Sequence, residues 1–241
     1  AKANSEIEAT GTTAFTYTSS PQGPGTADVT GSSGAVTYSY SGTGATTYGP
    51  SATKPTEVGT YQVVATVAAD ANYEGAESDP LAFTIAKGDS TIEATGTTAY
   101  TYDGNPQGPG TADVTGSSGS VTYSYSGTGA TTYGPSATKP TEVGTYQVVA
   151  TVAADANYNG AVSDPLAFTI AKADSTIEAT GTIAFAYTGS PQGPDTADVT
   201  GSSGTVTYEY SGTGTTVYGP SATKPTDAGT YQLVATVAAD A

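Results

Sequence analysis

The sequence predicts an all-β protein: tandem immunoglobulin-like β-sandwich domains, the third truncated before its last strand. Three observations predict this. The chain repeats itself every 85 residues, with Ala-Lys at Ala1, Ala86 and Ala171 and Pro-Gln-Gly-Pro at Pro21, Pro106 and Pro191. Within each repeat, apolar and polar residues alternate with period two, which sets one face of a strand on a core and the other in water. Turn-forming stretches separate these runs, and nowhere do apolar residues recur at i, i+3, i+4 and i+7 as a helix requires.

The period is too long for a solenoid unit that leans on its neighbours, and it suits small domains arrayed in line. The expected domains are residues 1–85, 86–170 and a partial third, 171–241.

The first repeat shows the elements in order. Phe15 and Tyr17 alternate with Thr16 and Thr18. Val36, Tyr38 and Tyr40 alternate with Thr37 and Ser39. Tyr61, Val63, Ala65 and Val67 form one face of the next strand, with Gln62, Val64, Thr66 and Ala68 on the other. Leu81, Phe83 and Ile85 close the repeat. Val, Thr, Tyr and Phe favour strands, and breaks such as SSPQGPG, TGSSG and ADANYEG are turn chemistry. About seven short strands in a domain of this size read as a β-sandwich. Glu57-Val58-Gly59-Thr60-Tyr61 and its variant Asp227-Ala228-Gly229-Thr230-Tyr231 follow the pattern of a tyrosine corner, whose hydroxyl bonds back to the chain just upstream. Tyr61, Tyr146 and Tyr231 are the expected corner residues, with Val63, Val148 and Leu233 facing the core.

The third repeat stops at Thr-Val-Ala-Ala-Asp-Ala, where the first two run on into Pro-Leu-Ala-Phe-Thr-Ile. Burying three such apolar side chains contributes roughly 1.5–3 kcal/mol each, against a typical domain stability of about 5–15 kcal/mol. A third repeat of this length is expected to be marginal alone and to present a bare strand edge. Three explanations stand: a window on a longer array, a strand supplied by another chain, or a frayed end.

Composition excludes several classes. The chain has no Cys, Met, Trp, His or Arg, so disulfides, thiolate chemistry and a Ser-His-Asp triad are out. Lacking Met, it reads as a processed or excised piece of a longer protein. A net charge of −16 repels phosphate backbones, so no nucleic-acid partner is expected. No apolar run reaches the length of a membrane span, so no membrane insertion is expected. GTGATTYG lacks the Lys-Ser/Thr ending of a phosphate loop, and a paired-carboxylate hydrolase needs a cleft that a small sandwich does not offer. The reading is not an enzyme, with no catalytic, cofactor-binding or metal residue assigned.

Tyr102-Asp103-Gly104, the Pro-Thr-x-x-Gly-Thr-Tyr run, Ala-Asn-Tyr-x-Gly and the closing Thr-Ile-Ala-Lys-Ala resemble the bacterial Ig-like repeats of the MBG and YDG kind. The first and third repeats depart from the first element, reading YTSS and YTGS. The resemblance covers the whole repeat. It implies tandem modules of large secreted or cell-surface adhesins, with no catalytic residue to carry over.

Three residue sets remain. Asp70, Glu77, Asp79, Asp89 and Glu93 are read either as calcium ligands at a junction or as solvated turn carboxylates. Glu74 and Glu77 become Asn159 and Val162 in the second repeat, which weighs for the solvated reading, since a hard cation wants six to eight oxygens. Lys54, Lys139 and Lys224, each before Pro, are expected to be solvated rather than covalently linked. Tyr48, Tyr133 and Tyr218 are weighed as sugar-stacking or packing rings. The functional expectation is an extracellular, secreted or cell-surface stalk acting as an extended rod. Its partners are neighbouring repeats, joined by the short linkers AKGDS and AKADS. The alternatives are a self-assembling filament completed by strand exchange with other copies, and a glycan- or surface-binding module.

Overall fold

The computed structural model describes residues 1–240. The first repeat holds β1 (Glu6–Thr10), β2 (Ala14–Thr16), β3 (Thr26–Thr30), β4 (Val36–Gly42), β5 (Gly59–Val67), β6 (Ala76–Glu77) and β7 (Leu81–Ala86). The second repeats them as β8 (Thr91–Thr95), β9 (Ala99–Thr101), β10 (Thr111–Thr115), β11 (Val121–Gly127), β12 (Gly144–Val152), β13 (Ala161–Val162) and β14 (Leu166–Ala171). The third holds β15 (Thr176–Thr180), β16 (Thr196–Thr200), β17 (Val206–Gly212) and β18 (Tyr231–Val237). No helix occurs among the described residues. The chain forms two compact units, one of Ala1–Tyr100 with Gly104–Ile170, the other of Thr101–Asp103 with the chain from Ala171 onward.

Each complete repeat is two facing β layers. In the first, β1 pairs antiparallel with β3, and a larger sheet runs β2-β7-β5-β4 with β6 also on β5. The alternation dictates which side chains enter. Tyr61, Val63, Ala65 and Val67 of β5 are buried, while Thr60, Gln62, Val64 and Thr66 face outward or lie half-covered. Ile7 and Ala9 of β1 and Ala27 of β3 close the core from the opposite layer.

Phe83 of β7 is the centre of that core. It stacks on Tyr61 at 5.4 Å between centroids and meets Tyr40 and Phe15 edge-on at 6.2 and 6.1 Å. Tyr146, Tyr125 and Tyr100 surround Phe168 in the same way in the second repeat, with Tyr100 in the place of Phe15. The chain passes so close to this ring that a side chain at Gly23 would crowd it: a Cβ there would lie 3.1 Å from Phe83 Cζ. A buried Tyr needs a partner for its hydroxyl, and Tyr40 donates to the Pro24 carbonyl at 2.6 Å.

The edge pairing β2–β7 is parallel, Phe15 opposite Ile85, while β7 runs antiparallel to β5 with Phe83 opposite Tyr61. The closing strand is thus held on both edges. The third repeat has no such strand among its described residues, and both neighbours respond. Ala184–Ala186, the counterpart of β2, is not a strand, and β18 begins at Tyr231, two residues later than β5 and β12 begin in their repeats.

Candidate functional site: the inter-repeat joint and the open edge

Within the first compact unit, the linker after β7 is bonded at every step. The Tyr17 amide donates to the Ala86 carbonyl at 2.8 Å. Lys87 Nζ donates to the Asp155 carbonyl. Gly88 exchanges backbone bonds with Asn157 and Asn159 at 3.0 and 2.8 Å. Asp89 accepts from Asn159 Nδ2 at 3.1 Å, and Ser90 Oγ donates to the Asn159 carbonyl at 2.6 Å. The predicted linker is therefore laced to the Asp155–Asn159 turn of its own repeat.

That turn is built by one carboxylate. Asp155 accepts from the Ser118 amide (2.7 Å) and hydroxyl (2.9 Å) and from the Asn157 and Tyr158 amides (2.9 and 2.7 Å). These bonds, the Ser118 amide first, hold its carboxyl well below the usual carboxylate range. Asp70 is held in the same way through Ser33, Asn72 and Tyr73.

The tip of the turn reaches the first repeat. Tyr158 meets Tyr17 edge-to-face at 5.2 Å and 85°. Asn157 Nδ2 donates to Glu57 Oε2 at 2.7 Å, and Asn157 Oδ1 accepts from the Val58 amide at 3.3 Å. Glu57 and Val58 lead directly into the tyrosine corner, where Tyr61 Oη donates to the Glu57 carbonyl at 2.7 Å. The corner recurs as Tyr146 on Glu142 (2.7 Å) and Tyr231 on Asp227 (2.8 Å), as its spacing predicts.

The other sequence candidates fall as follows. Asp70's oxygens are spent on the turn, and Glu77, Asp79, Asp89 and Glu93 lie on exposed positions. Among the described residues, no three carboxylates gather as a cation site. Lys54 and Lys139 lie over Gly25 and Gly110. In the third repeat Asp195 takes that position and pairs with Lys224 at 2.7 Å, a surface ion pair the sequence reading did not foresee. Tyr48 is occupied at both ends: its ring meets Tyr61 edge-on at 5.9 Å and its hydroxyl donates to the Thr53 carbonyl at 2.7 Å. Tyr133 and Tyr218 repeat this arrangement, which is packing rather than a free stacking platform.

The second compact unit carries an open groove of about 650 Å³. Its lining includes Ile183, Phe185, Tyr187, Tyr210, Tyr231 and Leu233. Ile183, Phe185 and Tyr187 are 92, 47 and 68 % exposed. Tyr231, Tyr210 and Phe185 match the residues that hold Phe83 and Phe168, and the position matching those two rings falls beyond Ala241.

A family model described as the MBG domain matches residues 9–88 and again 91–174. The chain belongs to the MBG-domain family. The match confirms the resemblance carried by the Pro-Thr-x-x-Gly-Thr-Tyr and Ala-Asn-Tyr-x-Gly runs. MBG domains are modules of repeat-containing, adhesion-type proteins, typically extracellular or surface-attached and typically non-catalytic. Among curated proteins nothing matches significantly. Among solved structures the chain is similar to the crystal structure of Drosophila N-cadherin EC1-3. The identity is 11 % and the TM-score 0.28, over 67 % of this chain and 64 % of that one. A likeness so slight says nothing further about this MBG protein.

Proposed function

We propose that this chain is a stalk segment of an extracellular adhesion-type protein, whose MBG repeats are held in line by joints rather than strung on free linkers. The observation that supports it is the lacing of Ala86–Ser90, together with the Tyr17–Tyr158 and Glu57–Asn157 contacts. A linker bonded at each residue gives up the freedom that lets beads swing. The net charge of −16 adds mutual repulsion, which discourages near-identical neighbours from collapsing or mispairing. The stalk would carry load and distance, and no chemistry. Residual dipolar couplings test it: the first two repeats should share one alignment tensor in solution. Two independent tensors would sink the reading.

A further inference from the structure

We propose that Asn159-Gly160 is a self-modification site: the Asn159 side-chain amide is lost spontaneously to water, and the carboxylate left behind unlaces the linker at Asp89. Such a site would age the joint of the proposed stalk, but its chemistry does not depend on the two repeats being held in line.

Deamidation begins when the next residue's backbone nitrogen attacks the Asn side-chain carbon, so it is fastest where that residue is Gly, with no side chain in the way. Of the chain's five asparagines, only Asn159 precedes Gly. Asn4 precedes Ser, Asn72 and Asn157 precede Tyr, and Asn105 precedes Pro, which has no N–H to lose. Asn159 and Gly160 are both exposed, so water reaches them. The Gly160 amide donates no backbone hydrogen bond among the described residues. Ser90 prepares the same peptide group: its hydroxyl donates to the Asn159 carbonyl at 2.6 Å and accepts from the Ser117 amide at 2.9 Å. Such a chain of donors polarises the peptide and makes the Gly160 N–H easier to deprotonate.

The reaction takes in water and gives off ammonia. The Gly160 nitrogen gives up its proton and bonds to Asn159 Cγ. The Cγ–Nδ2 bond breaks, ammonia leaves and a five-membered imide closes. Water then opens one of its two C–N bonds. Opening at Cγ leaves aspartate; opening at the main-chain carbonyl leaves isoaspartate, with the backbone running through Cγ. Either product is an anion where an amide stood. Asn159 Nδ2 now donates to Asp89 Oδ1 at 3.1 Å; a carboxylate has no proton to donate and faces a like charge. The first repeat keeps one amide and one acid at the same two positions in exchanged order, Asn4 and Glu74. Its turn therefore has no Asn-Gly, and the site belongs to the turn whose Asn157 and Tyr158 reach Glu57 and Tyr17.

The test ages the full chain at mildly alkaline pH and follows it by fragment-ion mass spectrometry. Asn159 should gain the mass difference between O and NH well before Asn4, Asn72 or Asn157. Asn159→Asp supplies one product directly. It should lower exchange protection of the amides at positions 88 and 159 about tenfold, the scale of a like-charge contact near the surface. Adding Asp89→Asn should restore that protection, since an amide again faces an acid. Asp89→Asn with Asn159→Glu, the first repeat's arrangement, should stay laced and gain no mass at position 159. Mass gain at Asn159 no earlier than at the other asparagines would overturn the proposal. So would unchanged protection in Asn159→Asp, or a loss that Asp89→Asn does not restore. Two alignment tensors in the fresh, unmodified chain would end the stalk reading alone and leave this site standing.

Discussion

Tyr146 and Tyr231 stand at the same place in near-identical strands, make the same corner bond, and have different surroundings. Tyr146 is 2 % exposed beneath Phe168, whereas Tyr231 is half-buried on the wall of an open groove. The corner hydrogen bond survives the difference, at 2.7 and 2.8 Å, because it is made within five residues of chain. Burial does not survive, because it depends on a strand some twenty residues further on. Local chemistry sets the turn and the face of each strand; the closing strand makes a core of them.

The largest way to break this comparison is to remove the ring itself. Phe168→Ala empties the centre of the second repeat and should cost about 3–5 kcal/mol, a large part of a domain's stability. Phe185→Ala removes a ring that is 47 % exposed and should cost under about 1 kcal/mol. Hydrogen exchange resolved by repeat would read both. Equal losses would mean that the third repeat is closed in solution.

A smaller effect separates the two corners. Tyr146→Phe leaves a partly buried hydrogen bond to the Glu142 carbonyl unmade and should cost about 1 kcal/mol. Tyr231→Phe should cost less, since water reaches the Asp227 carbonyl in its place. Denaturant midpoints of the two variants would check the order.

Much of this was legible in the sequence. The faces of β5 and β12 follow from strict alternation, and the corner from a fixed Gly-x-Tyr spacing, since both are local. The layer formed by β1 and β3 was less visible: only Ile7, Ala9, Ala27 and Val29 point inward, and two of these are Ala. The parallel pairing of β2 with β7 joins residues some seventy apart, which alternation cannot reveal. The joint was hidden because Asp155–Tyr158 reads only as a turn. Turn chemistry says how the chain bends, not that Asn157 and Tyr158 will meet Glu57 and Tyr17.

Acid should weaken the repeats by a finer margin. Asp70 and Asp155 titrate below their ordinary value of 3.8 when folded. A group lowered by folding lends stability that is present above its unfolded pKa and fades as pH falls through the folded one. Loss should therefore begin near pH 4 and continue well below it. Asp240 is lowered too, through Ser202 and Ser203. Asp155→Asn should flatten the acid limb of the second repeat's stability, followed as melting temperature against pH. An unchanged limb would show that the bonds at Asp155 do not favour its ionised form.

The smallest effect lies on the outer layer, where all three repeats agree. Glu8 faces Asp28, Glu93 faces Asp113, and Glu178 faces Asp198 in register across antiparallel pairs. Like charges directly opposite one another are destabilising, and the surrounding field of the same sign deepens the effect. Glu93→Lys turns one such pair into an attraction without touching the core beneath. Melting temperature should rise slightly at low salt, and the gain should shrink as ionic strength screens both repulsion and attraction. The same change at Glu178 should give the same small gain, because Glu178 faces Asp198 in the same register, although Ala179 beside it is exposed where Ala94 is buried. A gain at Glu93 alone would mean that the open groove loosens β15 as well, and the boundary between what closes locally and what needs the final strand would have to be redrawn.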